Sequence, residues 1–201
     1  MNELTKSNGI VKHEMDNVEK NLALGKIFAD SGVFPDIKSA AQGYVKILAG
    51  KELGLSPMQA INSFYFVAGR LGIVAQTMGA MVKKSGKYDY KITKHSDQEC
   101  EIAFIKIGKE GEETEIGNSH FDIKMAAKAG LVNKNNWKDY PMNMLFARAL
   151  MNGIRWYCPD AVSAFTYSVE ELEDLSVNNK PSIITIDDTG EVKNGEERLP
   201  E

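Results

Sequence analysis

The segment from residue 137 to 157 contains the basic side chains whose spacing most clearly points to a binding chemistry. At about 100° per residue of a helix, Arg148, Asn152 and Arg155 fall within roughly 60° of one another. Two guanidinium groups a heptad apart on one stripe are separated by about 10 Å, and each can donate two parallel hydrogen bonds to a phosphate. This stripe therefore indicates contact with successive phosphates. The alternative is that both arginines pair with carboxylates from the sheet or face water.

A second basic cluster, interrupted only by Asp89 and interleaved with Tyr88 and Tyr90, consists of Lys83, Lys84, Lys87, Lys91 and Lys94. Lysines with aromatic neighbours can follow a nucleic-acid backbone while the rings stack on bases, although a solvated lysine-rich surface has the same composition. Trp137, Trp156 and Tyr157 are further stacking candidates, but aromatic residues near the ends of an amphipathic helix are more often part of a core. Arg70, in a predicted turn, could reach a ligand or simply face water.

The sequence contains few candidate catalytic residues. The three histidines lack the spacing of a zinc hydrolase, and no phosphate-binding loop or nucleophile elbow is present. Asp122, or Glu99 together with Glu101, could hold a metal in a nuclease, although alternating carboxylates on a wet sheet face are far more often ordinary surface residues. We therefore expect neither an enzyme nor a cofactor.

Composition favours one globular domain of a cytoplasmic protein. The chain has 201 residues, no apolar run near the roughly 20 residues of a membrane span, and no signal-peptide core at its N-terminus. Two cysteines are too few for a disulfide framework, which fits a reducing compartment. Residues 168–201 carry ten acidic and three basic side chains, whereas residues 1–167 carry 18 acidic and 21 basic ones. A mildly basic body with an acidic tail is compatible with nucleic-acid binding.

Hydrophobic periodicity and turn residues predict an α+β fold, in which a small antiparallel sheet and a β-hairpin pack against a long helix with flanking helices. Residues 1–13 are expected to be flexible, residues 14–175 to form the domain, and residues 176–201 to be a mostly disordered tail with a short strand at 183–186. The predicted helices are 14–31, 37–53, 75–85, 121–130 and 140–157, the last being the longest. The predicted strands are 64–67, 71–74, 88–93, 99–107 and 113–119.

Three details of this prediction concern faces and caps. Met15, Val18, Leu22 and Ile27 recur near helical spacing in the first helix, and Ala41, Tyr44, Ile47 and Leu48 lie on one side of the second. The sequence Ser168-Val-Glu-Glu171 fits a capping box that begins a small last helix.

An ordered series of segments resembles phage RecT-type recombinases. The series comprises Lys51-Glu-Leu-Gly-Leu-Ser-Pro-Met58, Val67-Ala-Gly-Arg-Leu-Gly-Ile-Val74, Met78-Gly-Ala-Met81, Trp137-Lys-Asp-Tyr-Pro-Met-Asn-Met-Leu-Phe-Ala-Arg-Ala-Leu150, Arg155-Trp-Tyr-Cys-Pro-Asp160 and Tyr167-Ser-Val-Glu-Glu171. The likeness covers roughly residues 20–175 and depends on the order of the set, since no single segment is a catalytic signature.

The resemblance implies a protein that binds single-stranded DNA and the annealed duplex intermediate, forms a homo-oligomeric ring or filament, and anneals complementary strands without ATP. It places Arg148 and Arg155 in a groove between sheet and long helix, with Arg70, Lys83, Lys84 and Lys87 as contributors. A phage exonuclease or a host single-strand-binding protein is a candidate partner; a membrane is not. The alternatives are a metal-dependent nuclease of the same pathway and a non-catalytic protein-interaction module.

Overall fold

The computed structural model describes residues 3–162, 167–176, 183–186 and 192–195, with side chains for 17–162 and 167–175. Within this part the fold is α+β, as predicted, and small antiparallel sheets pack against helices. The helices are α1 (Glu3–Asp30), α2 (Ala40–Glu52), α3 (Pro57–Ser63), α4 (Ala75–Lys84), α5 (Ile123–Lys128), α6 (Asn135–Asp139), α7 (Pro141–Tyr157) and α8 (Val169–Ser176). The strands are β1 (Phe64–Val67), β2 (Arg70–Ile73), β3 (Tyr88–His95), β4 (Glu99–Ile107), β5 (Glu113–Asp122), β6 (Ile183–Ile186) and β7 (Val192–Gly195).

A three-stranded antiparallel sheet in the order β3-β4-β5 forms the centre of the molecule. β4 lies in the middle and pairs with β5 from Glu99 to Ile107 and with β3 from Cys100 to Lys106. Its side chains from Cys100 to Ile105 are buried, except for half-buried Glu101. β3 is therefore an edge strand, and its exposed residues are accessible from outside the sheet.

α7 packs across β4 and β5, and its central position explains why nearly half of its side chains are buried. The closest approach is at Gly153, where an added Cβ would lie 2.0 Å from the Phe104 ring. Leu150 faces α4 at Gly79. The main core joins α4, α7 and the sheet, and α8 also contacts α7.

The β1–β2 hairpin is confirmed, with a two-residue turn at Ala68 and Gly69. Both turn residues have positive φ, 48° and 76°, as a type I′ turn requires. Arg70 is the first residue of β2 and pairs with Val67, so its predicted place within the turn was wrong by one residue.

α8 closes over this hairpin. The predicted capping box is present: the Glu171 N–H donates to Ser168 Oγ at 3.2 Å, and the Ser168 N–H donates to Glu171 Oε2 at 3.0 Å. Ser168 also bridges to Ile73 in β2, and Leu172 packs against Gly72. The acidic region of the sequence therefore begins inside the packed domain and not after it.

Three expectations about the termini and helices need correction. Residues 3–13, expected to be flexible, belong to α1, which at 28 residues is longer than the 17-residue α7. On α1, Val18, Leu22 and Ile27 are exposed. On α2, Ile47 of the predicted side is buried, but Ala41 and Leu48 are exposed, and the other buried residues are Gly43, Lys46, Ala49 and Gly50. The reason is that α1 and α2 approach through glycine: a Cβ on Gly43 would lie 2.6 Å from Gly25 Cα.

The strand predicted at residues 183–186 is confirmed as β6, and it pairs with β7, which the sequence did not indicate. The expected disorder of the rest of 176–201 lies outside the described residues, apart from Ser176, which ends α8.

Candidate nucleic-acid interface

Arg148, Asn152 and Arg155 share one stripe of α7, as their spacing predicts, and α8 covers that stripe. Arg155 donates to both carboxylate oxygens of Glu171, one of them at 3.0 Å from Nη1. It also donates to Asn152 Oδ1 at 3.2 Å. Arg148 Nη2 lies 2.5 Å from Asp174 Oδ2. The alternative of pairing with carboxylates is thus observed, with partners from α8 and not from the sheet.

The two acidic residues that meet the arginines are themselves buried, each with 4% of its surface exposed. Asp174 also accepts a hydrogen bond from Trp137 Nε1 at 3.0 Å, and Lys134 Nζ lies 3.5 Å from its Oδ1. Each carboxylate therefore has several donors, as a buried charge requires. In this arrangement the arginines attach α8 to α7.

Trp137, proposed above as a base-stacking residue, is buried, with its ring 6.1 Å from that of Phe121. No face of the indole is available to a base in this conformation. The exposed tryptophan of the described chain is Trp156, in the last turn of α7, with 61% of its surface accessible. The sequence contained both candidates but could not tell which one the fold would cover.

The four lysines Lys83, Lys84, Lys87 and Lys91, which we call the lysine surface, are all exposed. They lie at the C-terminal end of α4, in the turn after it and on the edge strand β3. Lysine is favourable in the last turn of a helix, which explains Lys83 and Lys84 locally. The fold thus brings the predicted cluster to one accessible edge of the sheet.

Within the lysine surface, Asp89 forms an ion pair with Lys83 and also lies in the electric field of Lys91. Burial alone would raise the pKa of the Asp89 carboxyl. The hydrogen bonds from Lys83 and the Tyr90 N–H, together with the charges of Lys83 and Lys91, outweigh burial, so the pKa of Asp89 is lowered. Lys83 Nζ also lies 4.6 Å from the Tyr90 ring centroid, within cation–π range.

Lys87 contacts the chain after α7, and Lys91 contacts the first residue of β5. Lys87 Nζ is 2.8 Å from Asp160 Oδ2, and Tyr88 Oη donates to Asp160 Oδ1 at 2.7 Å. The hydrogen bond from Lys87, followed by that from Tyr88, lowers the pKa of Asp160. The hydrogen bond between Tyr88 and Asp160 also raises the pKa of Tyr88. Lys91 Nζ lies 3.2 Å from Glu113 Oε2. Asp160, which the sequence did not single out, therefore joins the end of α7 to the lysine surface.

Arg70 is exposed on the β1–β2 hairpin. This hairpin packs against α8 and not against the three-stranded sheet. The structure therefore separates the predicted residues into three groups. Arg148, Asn152, Arg155 and Trp137 lie under α8; the lysine surface with Tyr88 lies at the β3 edge; Arg70 lies on the hairpin.

The carboxylates considered for a metal nuclease have other partners. Asp122 caps α5 by accepting from the Met125 N–H at 2.7 Å, whereas Glu99 and Glu101 lie 3.5 and 3.1 Å from Lys94 Nζ. Within the described ranges, no group of three or more histidine, cysteine or acidic residues could hold a metal. Burial raises the pKa of Cys100 to about 11, and burial together with the Asp160 charge raises that of Cys158 to about 12, so both are thiols at neutral pH.

Of the helices in the described part of the chain, none combines the length and apolar character needed to cross a membrane. Comparisons of the chain with protein-family models, with curated proteins and with solved structures found no match.

Proposed function

We propose that this protein binds single-stranded DNA through the lysine surface and anneals complementary strands without ATP, as an oligomer in the cytoplasm. The observation that carries the proposal is the exposed edge formed by Lys83, Lys84, Lys87 and Lys91 beside the rings of Tyr88 and Tyr90. The ordered resemblance to RecT-type recombinases supports the same function from the sequence.

The ion pairs of the lysine surface are compatible with phosphate binding. Lys83, Lys87 and Lys91 have 49–65% of their side chains exposed, and their carboxylate partners are also accessible. Exposed pairs contribute only about 0–1 kcal/mol and are screened by salt, so a phosphate can replace a carboxylate at little cost. Exposed Trp156 supplies a stacking group that tolerates any base, whereas Tyr88 and Tyr90 are half-buried against the core.

Binding by one copy should be weak, because four lysines face three nearby carboxylates, those of Asp89, Glu113 and Asp160. Weak contacts become effective when many copies occupy one strand, since each bound neighbour raises the local concentration of the next. Contacts to phosphates and to the faces of bases leave the base edges free to pair, and pairing itself drives annealing. The DNA site proposed here does not include Arg148 or Arg155.

The proposal is tested by the salt dependence of DNA binding. The triple variant Lys83→Gln/Lys84→Gln/Lys87→Gln should bind a labelled oligothymidine more weakly than the parent in fluorescence anisotropy. Each phosphate contact contributes about 0.7 to the slope of log K against log salt for single strands, so the slope should fall by about 2 in magnitude.

A matched variant, Lys124→Gln/Lys128→Gln/Lys138→Gln, removes the same charge from exposed positions on α5 and α6. It should keep nearly the parental slope. Equal slopes for the parent and both triple variants would contradict the placement of DNA on the lysine surface.

A further inference from the structure

A cavity of about 530 Å³ lies between α5, α7 and α8, and no residue of the lysine surface lines it. Most of its lining is apolar, namely Phe121 at the end of β5, Met125 and Ala129 at α5, Leu131 after α5 and Leu175 on α8. Met125 and Leu175 are each 45% exposed, although both are large apolar side chains. A concave, mostly apolar space of this size is typical of sites that bind small organic molecules.

The polar part of the lining has an excess of positive charge. It consists of Lys128 in the last turn of α5, Arg148 on α7 and Asp174 on α8. Arg148 Nη2 lies 2.5 Å from Asp174 Oδ2, and Lys134, from outside the lining, lies 3.5 Å from Asp174 Oδ1. Because these two cations compensate the carboxylate, the exposed ammonium of Lys128 leaves the cavity complementary to an anion.

The guanidinium group of Arg148 is not fully satisfied by α8. Its Nη1 lies 3.7 Å from Glu171 Oε1, beyond hydrogen-bond range. Its Nε is buried and, within the part of the chain that the structure describes, has no hydrogen-bond partner. A buried donor without an acceptor is uncommon in folded proteins, since it loses its hydrogen bonds to water. Arg148 therefore retains donor capacity beside the cavity that it lines.

We propose that this cavity binds a small organic carboxylate with an apolar body the size of one or two aromatic rings. The body packs against Phe121, Met125 and Leu131, and the carboxylate faces Lys128 and Arg148. A carboxylate suits this position because its two oxygens can accept parallel hydrogen bonds from one guanidinium group. The charge of the lining disfavours an amine, and the volume limits the ligand to a small molecule. The inference is independent of the proposed DNA site, because the two share no residue.

Binding should be of modest affinity, because the cavity is open to water at Met125, Lys128 and Leu175. Release of water from the apolar walls favours binding. Salt screens the exposed charge of Lys128 and weakens its contribution. For a ligand of about thirteen non-hydrogen atoms we therefore expect a dissociation constant on the order of 100 µM.

Isothermal titration calorimetry with naphthalene-2-carboxylate tests the site on the full chain without DNA. The parent should bind one equivalent. The uncharged naphthalene-2-carboxamide should bind about tenfold more weakly, because charge-assisted hydrogen bonds are stronger than neutral ones. The corresponding amine, 2-(aminomethyl)naphthalene, should bind more weakly still. Equal affinity for the three probes would indicate an adventitious apolar contact only and would overturn the proposal.

Two single variants locate the carboxylate and the apolar body. Lys128→Gln should weaken binding of naphthalene-2-carboxylate about fivefold, as expected for a partly exposed charge pair. Met125→Glu places a negative charge in the apolar wall and should abolish binding. The matched control Lys124→Gln removes the same charge from the same helix at a position outside the lining, so its affinity should be parental. All three side chains are exposed, and circular dichroism verifies folding. Equal weakening by Lys124→Gln and Lys128→Gln would contradict a carboxylate bound in the cavity.

Two further measurements separate this site from DNA binding. The lysine triple variant should bind naphthalene-2-carboxylate like the parent, and saturating oligothymidine should leave the dissociation constant of the probe unchanged. Displacement of the probe by oligothymidine would mean that DNA enters the cavity. Displacement, or the absence of heat at about 1 mM probe, overturns the inference and leaves the salt-dependence test of the lysine surface unaffected.

Discussion

Lys46 is the residue whose environment departs most from what its chemistry favours. Its side chain is fully buried, with Nζ 2.5 Å from Asp36 Oδ2 and 3.3 Å from the Ile61 carbonyl oxygen that it donates to. The Tyr65 ring lies 4.8 Å from the same nitrogen. Burial lowers the pKa of Lys46, and the hydrogen bond and charge of Asp36 oppose that shift without cancelling it.

The lowered pKa of Lys46 predicts a specific pH dependence of stability. Between that lowered pKa and 10.5, the unfolded chain binds the proton and the folded chain does not, so stability rises with pH in this window. Relative to the variant Lys46→Met, the free energy of unfolding of the parent should therefore increase as pH approaches 10.5. Guanidinium unfolding at several pH values measures the difference. A decrease would mean that the ion pair with Asp36 outweighs burial and that the pKa is raised.

At the residue scale, sequence reasoning succeeded where a local rule decides the contact. The capping box of Ser168 and Glu171 is such a case, because both hydrogen bonds lie within one turn. It left open whether Trp137 stacks on a base or belongs to the core, and it did not single out Lys46, because burial depends on distant elements. Helical spacing placed Arg148 and Arg155 on one stripe but could not name the helix that covers it.

α7 and α8 form the pair of elements on which the interpretation of the arginines depends. Arg155 reaches Glu171 with two nitrogens, and Arg148 reaches Asp174, while Glu170 lies 3.4 Å from the Ala75 N–H at the start of α4. α8 thus joins α7, the hairpin and α4. The acidic residues of α8 therefore hold this helix against its neighbours in the domain.

We therefore expect Arg155→Ala to destabilise the protein. Removing one partner of a buried pair costs about 3–5 kcal/mol, and the lower end applies here because a third of the Arg155 side chain is exposed. Arg70→Ala, on the exposed hairpin, should change stability by less than about 0.5 kcal/mol. Denaturant unfolding measures both variants. Parental stability of Arg155→Ala together with much weaker DNA binding would instead favour the arginine as a phosphate ligand.

At the element scale, the sequence predicted what periodicity and turn chemistry control. β4 has the predicted bounds, and α4, β3, β5 and α7 differ by a few residues at their ends. The predicted side of α2 was wrong for Ala41 and Leu48, which are exposed, and right for Ile47. Apolar residues occur on both sides of this helix, and the close approach of Gly25 and Gly43 decides which side packs. The residues before position 14 contain no periodic signal from which the extension of α1 to Glu3 could be predicted.

For the whole molecule, the proposed function depends on one surface, the lysine surface at the β3 edge. A modest charge on each copy would give a binder that becomes effective when many copies occupy one long single strand. Annealing of this kind requires no bound nucleotide, because base pairing supplies its free energy.

The most direct test follows the pairing of two complementary labelled oligonucleotides by fluorescence energy transfer, with and without ATP and magnesium. We predict that the protein accelerates pairing equally in both conditions, that high salt abolishes the effect, and that the lysine triple variant loses it while the α5–α6 control variant retains it. Strand loss that requires magnesium would instead indicate a nuclease, and pairing at the uncatalysed rate under all conditions would contradict the annealing function.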